Sequence, residues 1–182
     1  MSKPKSPQPV KLVVSVITVN KELFERVCEK LVKKFGETDY ISETLAFDFT
    51  DYYEKELGKD LIRHIISFKE LINPDILPQI KLFTNDLEDR FIKEGDNRSV
   101  NVDPGYIALC HFVLASCKGF AHRPYLRDGV YADLTLVFRK KTFQVLEWTF
   151  PDYASDGLIN ILNGIRADYH KLLKEMGETE KC

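Results

Sequence analysis

Residues 11–19 read Lys-Leu-Val-Val-Ser-Val-Ile-Thr-Val, a β-branched run that is apolar on both alternating faces. A half-exposed strand would alternate with polar residues, so this run predicts a central strand covered on both sides. The rest of the chain must therefore supply covering layers for two faces.

The first cover follows at once. Asn20 is a good N-cap, Leu23, Phe24, Val27, Leu31 and Phe35 recur at helical spacing, and Gly36 suits the left-handed residue past a helix end. A second strand is expected over residues 44–51, with Leu45, Phe47 and Phe49 on one face and Asp48 and Thr50 on the other, and a third over residues 61–68. Asn73-Pro74 opens a long helix with Ile76, Leu77, Ile80, Phe83, Leu87 and Phe91 on its inner side, closed near Gly95. Pro78 kinks its first turns or delays its start.

In residues 99–118, Asp103-Pro104-Gly105 either caps a helix over residues 106–116 or forms a turn between two buried strands, and a continuous apolar run fits both. Residues 131–138 alternate cleanly, placing Ala132, Leu134, Leu136 and Phe138 on a core and Tyr131, Asp133 and Thr135 away from it. A polar connector at 139–142 leads to a return strand over 143–150, and residues 156–176 close the chain as a helix. The expected fold is α/β or α+β: a single-domain mixed β-sheet with helices packed on it, a strand–helix start, and a C-terminal hairpin followed by a helix. Residues 1–9 read as a flexible arm, 10–177 as the domain and 178–182 as a tail.

Composition excludes several function classes. Apolar residues make up 44% and charged residues 30%, which is neither disordered nor fibrous. Lys and Arg total 26 against 28 Asp and Glu, so no basic surplus exists to displace counterions from a nucleic acid. No window of ~18 apolar residues predicts a membrane span, and the first ten residues lack the apolar core of a secretory signal. Cys28, Cys110, Cys117 and Cys182 form no dense framework, which fits a cytoplasmic protein with free thiols.

The familiar chemical motifs are absent. Neither Gly58-Lys59 nor Lys118-Gly119 sits in a phosphate-cradling loop, and Asn20-Lys21-Glu22-Leu23 lacks the Asp of a guanine-reading loop. There is no Gly-x-Gly-x-x-Gly fingerprint and no Gly-x-Ser-x-Gly elbow. His64, His111, His122 and His170 lack the His-x-Ser/Thr frame of a two-histidine phosphoesterase. Cys110, His111, Cys117 and His122 are spaced too loosely for a zinc site, so no metal ligand is assigned.

Three constellations remain. Asp48 and Asp51 flank a strand end, where they act as acid and base, bind a cation, or merely cap a turn. Asn101 and Asp103 point the same way if their segment is extended, or cap a helix if it is not. Lys118, His122, Arg123, Tyr125, Tyr131 and Asp133 either build a polar site on an open sheet face, or form a solvated hairpin with an Arg123–Asp133 cross-strand salt bridge. Trp148 reads as core and Asp152 as a helix cap.

At these places the chain resembles a prokaryotic family called domain of unknown function 4416. The resemblance rests on Asp48-Phe49-Thr50-Asp51-Tyr52-Tyr53, Lys81-Leu82-Phe83-Thr84-Asn85, Asn101-Val102-Asp103-Pro104-Gly105-Tyr106, Ala121-His122-Arg123-x-Tyr125-Leu126, Gly129-Val130-Tyr131 and Trp148-Thr149-x-Pro151-Asp152-Tyr153. It runs from about Pro9 to the last helix and implies no established activity. Some members carry the automatic label GTP-binding protein, but this chain lacks both loops that would justify it.

The leading expectation is a small anionic ligand, such as a nucleotide or phosphorylated metabolite. Asp48, Asp51, Asp103, His122 and Asp133 would serve as acid/base or cation-handling groups. Lys118 and Arg123 would take the anion, and Tyr125 and Tyr131 would line the pocket. For an enzyme, metal-assisted phosphoester chemistry is the natural class; no cofactor is named. The alternative is a non-catalytic interaction or structural domain. An RNA-binding module ranks last and requires Lys118, Arg123, Arg127, Arg139, Lys140 and Lys141 to form one patch.

Overall fold

The computed structural model describes residues 3–47, 57, 59–92 and 99–178. The first strand, β1 (Val10–Thr18), is buried along its whole length. It is flanked by β4 (Ile62–Ile72) and β5 (Val100–Ile107), both antiparallel to it. The sheet extends through β2 (Thr38–Ile41) and β3 (Leu45–Ala46), which both pair with β4. On the other side follow β6 (His111–Ser116), β7 (Tyr125–Arg127), β8 (Val130–Arg139) and β9 (Thr142–Val145). The order is β2-β4-β1-β5-β6-β8-β7, with β3 on β4 and β9 on β8. Every pairing among the described strands is antiparallel, so the domain is α+β.

Alternation along β1 assigns the two faces. Leu12, Val14 and Val16 pack with Phe24, Val27 and Leu31 of helix α1 (Lys21–Phe35) and with Ile80 and Leu87 of helix α2 (Leu77–Asp89). Val13 packs on the opposite face with Ile65, Ile107 and Phe112, beneath Leu158, Leu162, Ile165, Tyr169 and Leu173 of helix α3 (Asp156–Glu175). The caps follow local chemistry. Asn20 accepts the Leu23 amide at 2.9 Å, Ser155 accepts the Leu158 amide, and Gly36 adopts φ +88°. The 3-10 turn Pro74–Ile76 delays α2 until Leu77, leaving Pro78 in its first turn where no amide is needed. Among the described residues no helix is long and apolar enough to cross a membrane.

Several local expectations are corrected. Asp103-Pro104-Gly105 is neither cap nor turn but the middle of β5, and the turn falls between Ile107 and His111. The strand expected over residues 44–51 spans only Leu45–Ala46 among the described residues; Asp48 and Asp51 lie outside them. Cys110 is disulfide-bonded rather than free, while Cys28 and Cys117 are free.

The alternation of β8 also breaks. Val113 opposes Leu134 and Phe112 opposes Leu136, so Thr135 is an extra residue, a β-bulge that switches faces. Leu134 and Ala132 therefore join the cluster around Leu77 of α2, while Leu136 and Phe138 join the α3 face. Asp133 and Thr135 are buried at 1% and 0% exposure, not turned away from the core. The bulge also explains why the return strand stops at Val145. The carbonyls of Leu134 and Thr135 are taken by Trp148 Nε1 at 2.7 Å and Thr149 Oγ1 at 2.6 Å, which folds residues 146–150 back across β8.

Candidate functional site

β5 and β6 pair only at Gly105–Leu114, Tyr106–Val113 and Ile107–Phe112. Towards Val100 the side of β5 that faces away from β1 meets helix α2 instead of a strand. Glu88 Oε1 accepts the Val102 amide at 2.6 Å, occupying a ladder position that β6 leaves open. Pro104, two residues on, has its nitrogen on the same edge and no N–H to satisfy. That is how a proline sits inside a central strand here.

The parting opens a cavity of about 810 Å³, within the range of small-molecule sites. Its wall holds three ion pairs. Arg63 Nη2 pairs with Asp152, Lys81 Nζ lies 3.0 Å from Asp103 Oδ1, and Arg123 Nε lies 2.8 Å from Asp133 Oδ2. Phe47, Tyr153 and Phe150 complete the wall, the first two over the Arg63 guanidinium at 4.6 and 5.1 Å, the third over Arg123 at 5.6 Å. Arg63 Nε is buried and has no hydrogen-bond partner among the described residues.

Extended geometry places Asn101 and Asp103 on one face, and the Asn101 amide donates to Asp103 Oδ2. Burial pushes the Asp103 carboxyl up, but the Lys81 charge and hydrogen bond, with the Asn101 amide, outweigh it and hold it below its ordinary value. Burial pulls Lys81 down, but Asp103 and Glu88 outweigh that and raise it. Both groups are ionised at neutral pH. The folded carboxyl sits below its unfolded value, so its stabilisation is full above about pH 4 and vanishes as pH falls through the depressed value. Accordingly, urea midpoints measured from pH 7 to pH 2.5 should fall less steeply for Asp103→Asn than for the parent; equal slopes would disprove the assignment.

Asp103, Asp133, Lys118 and Arg123 all line the cavity. His122 stands behind it: its Nε2 lies 3.7 Å from Asp133 Oδ1. Tyr125 and Tyr131 do not line it; they form an edge-to-face pair on the β7–β8 hairpin, 5.2 Å between centroids. Trp148 is not core, since it is 37% exposed and stacks on His122, and Asp152 is the buried partner of Arg63 rather than a cap. The basic residues divide: Arg127 is at one end of β8 and Arg139, Lys140 and Lys141 at the other, about 30 Å away at ~3.3 Å per residue.

Sequence reasoning missed Arg63, Lys81 and Asp152. The signals were present: Lys81, Asn85 and Glu88 recur at helical spacing among apolar neighbours, and Arg63 interrupts an apolar strand. Among the described residues no group of three or more His, Cys, Asp or Glu side chains is gathered to hold a metal. A family model described as Domain of unknown function (DUF4416) matches residues 8–169. No curated protein and no solved structure matches the chain.

Proposed function

We propose that this chain, which belongs to the domain of unknown function 4416 family, binds a small anionic ligand of nucleotide or phosphorylated-metabolite size in the cavity beside β5. The convergence of three ion pairs, one buried and two part-buried, on that one cavity carries the reading. Buried ion pairs add little net stability, because desolvation offsets their attraction, so three on one wall call for a reason other than stability. Arginine supplies planar, always charged donors suited to phosphate or carboxylate oxygens, and Arg63 and Arg123 both line this space. With Lys81 on the wall, Lys118 adds a fourth cation on the exposed side. Asp103, Asp133 and Asp152 each face a protein cation, and Glu88 and Asp89 also line the cavity; the proposal assigns binding and no reaction.

The test is a thermal-shift and calorimetry screen with inorganic phosphate, nucleotides and sugar phosphates. A ligand at a hundredfold excess over Kd should raise Tm by about 5–10 °C. Lys118→Ala should weaken that ligand at least about tenfold while leaving the unliganded Tm nearly unchanged, and Arg123→Lys, which keeps the charge but loses the fork, should weaken it at least as much. Absence of any shift would sink the reading. A partner-binding surface would then gain ground from the exposed rings of Phe120, Trp148 and Phe150 on adjoining segments, at 69%, 37% and 41% exposure.

A further inference from the structure

We infer that anion binding in the cavity is coupled to protonation of His122 through the carboxylate of Asp133. The inference rests on the anion-binding reading and adds a control to the same site. His122 is clamped between rings: its imidazole stacks on Trp148 with centroids 4.8 Å apart and planes 11° apart, and Phe120 meets it edge-on at 5.3 Å. Its Nε2 is buried, makes no hydrogen bond among the described residues, and lies 3.7 Å from Asp133 Oδ1.

The other oxygen of Asp133 takes Arg123 Nε at 2.8 Å, and Arg123 lines the cavity. One buried carboxylate thus stands between a titratable ring and a ligand-facing guanidinium. Among the described residues the ionisable group against His122 is Asp133 of β8, which Arg123, the next residue in the chain, also holds; the 146–150 segment presents the Trp148 indole and residue 120 a phenyl ring.

With neutral His122 the Arg123–Asp133 pair sums to zero charge. Protonated His122 brings the group to one positive charge, in a buried place where salt screens poorly. Protonation therefore tightens anion binding. By linkage, a bound anion favours the protonated ring by the same factor. An imidazolium against an indole face is attracted to it and quenches its emission, and the chain has a single Trp, so Trp148 fluorescence reads the protonation of His122 directly.

The experiment follows Trp148 emission from pH 5 to 8.5 in chloride and in saturating sulfate at matched ionic strength, with sulfate binding measured by calorimetry at pH 5.5 and 8. Sulfate keeps its charge across this range. Emission should fall as pH drops, sulfate should move the midpoint up by about half a pH unit, and sulfate should bind about threefold tighter to the protonated form. His122→Gln, with an unchanged circular dichroism spectrum, should lose both the titration and the pH dependence of sulfate affinity.

Equal sulfate affinity at both pH values with an unmoved midpoint overturns the coupling and leaves anion binding standing. No sulfate binding at either pH overturns the coupling, and the anion-binding reading falls with it when no compound of the phosphate, nucleotide and sugar-phosphate screen shifts Tm. An indole signal that does not titrate in the parent, or a midpoint shift that survives in His122→Gln, overturns the assignment to His122.

Discussion

Asp152→Ala should lower stability by about 3–5 kcal/mol, the cost of stranding a buried charge. Arg63 and Asp152 are 5% and 8% exposed, and Arg63 Nε already has no hydrogen-bond partner among the described residues. Without the carboxylate, the guanidinium keeps, among the described residues, the ring faces of Phe47 and Tyr153 and the more distant charge of Asp103, which are weak substitutes for a direct ion pair in a dry site. Tm should fall by about 10–15 °C, and the urea midpoint should drop at an unchanged m-value. The double variant Arg63→Met/Asp152→Leu should recover most of that loss, because no charge remains to be solvated. A cost below ~1 kcal/mol for Asp152→Ala would mean that the pair is solvated as a surface bridge is.

Gly105→Ala should cost about 3 kcal/mol, at the upper end for overpacking. The backbone of Gly105 is ordinary extended strand, so conformational freedom is not the reason. An added Cβ would run into the Val113 carbonyl oxygen and stand 3.3 Å from Leu114 Cα and 3.0 Å from its Cδ2. The first two are backbone atoms of β6, which cannot turn aside as a side chain can. Gly105–Leu114 is the last pair before the two strands part, so the clash falls where the cavity begins. Amide exchange in β6 should quicken together with the loss of stability. Gly164→Ala is the contrast: an added Cβ meets nothing within 4 Å, and in a helix interior it should gain about 0.5–1 kcal/mol. A neutral Gly105→Ala would contradict the described close approach of β5 and β6.

The two-faced burial of β1, α1 with its Asn20 and Gly36 ends, the delayed start at Pro78 and the closing helix were all legible in residue order. Each depends on contacts within a turn or two of chain, or on whether a strand alternates. Asp103, Lys118, Arg123 and Asp133 were legible as candidates because their charges stand beside turn and strand signals. Nothing in local pattern foretold the bulge at Thr135, since one extra residue in a strand is defined only by its partner, here Phe112 and Val113 of β6. That bulge turns Leu136 to the opposite face from Leu134, and the fold-back it accompanies sets Trp148 against His122.

The chain order of apolar and capping residues thus settles that this is an α/β or α+β domain built around a doubly covered strand; that every described strand pairing is antiparallel was decided by the tertiary structure. Which charges meet was left to packing. Arg63 reaches Asp152 across 89 positions and Lys81 reaches Asp103 across 22, and such pairs exist only once separate elements dock. Secondary structure follows from short-range sterics and periodicity, whereas a cavity forms where two strands separate and a helix fills part of the gap. For this chain, that separation of β5 from β6 turns scattered charged residues into a site.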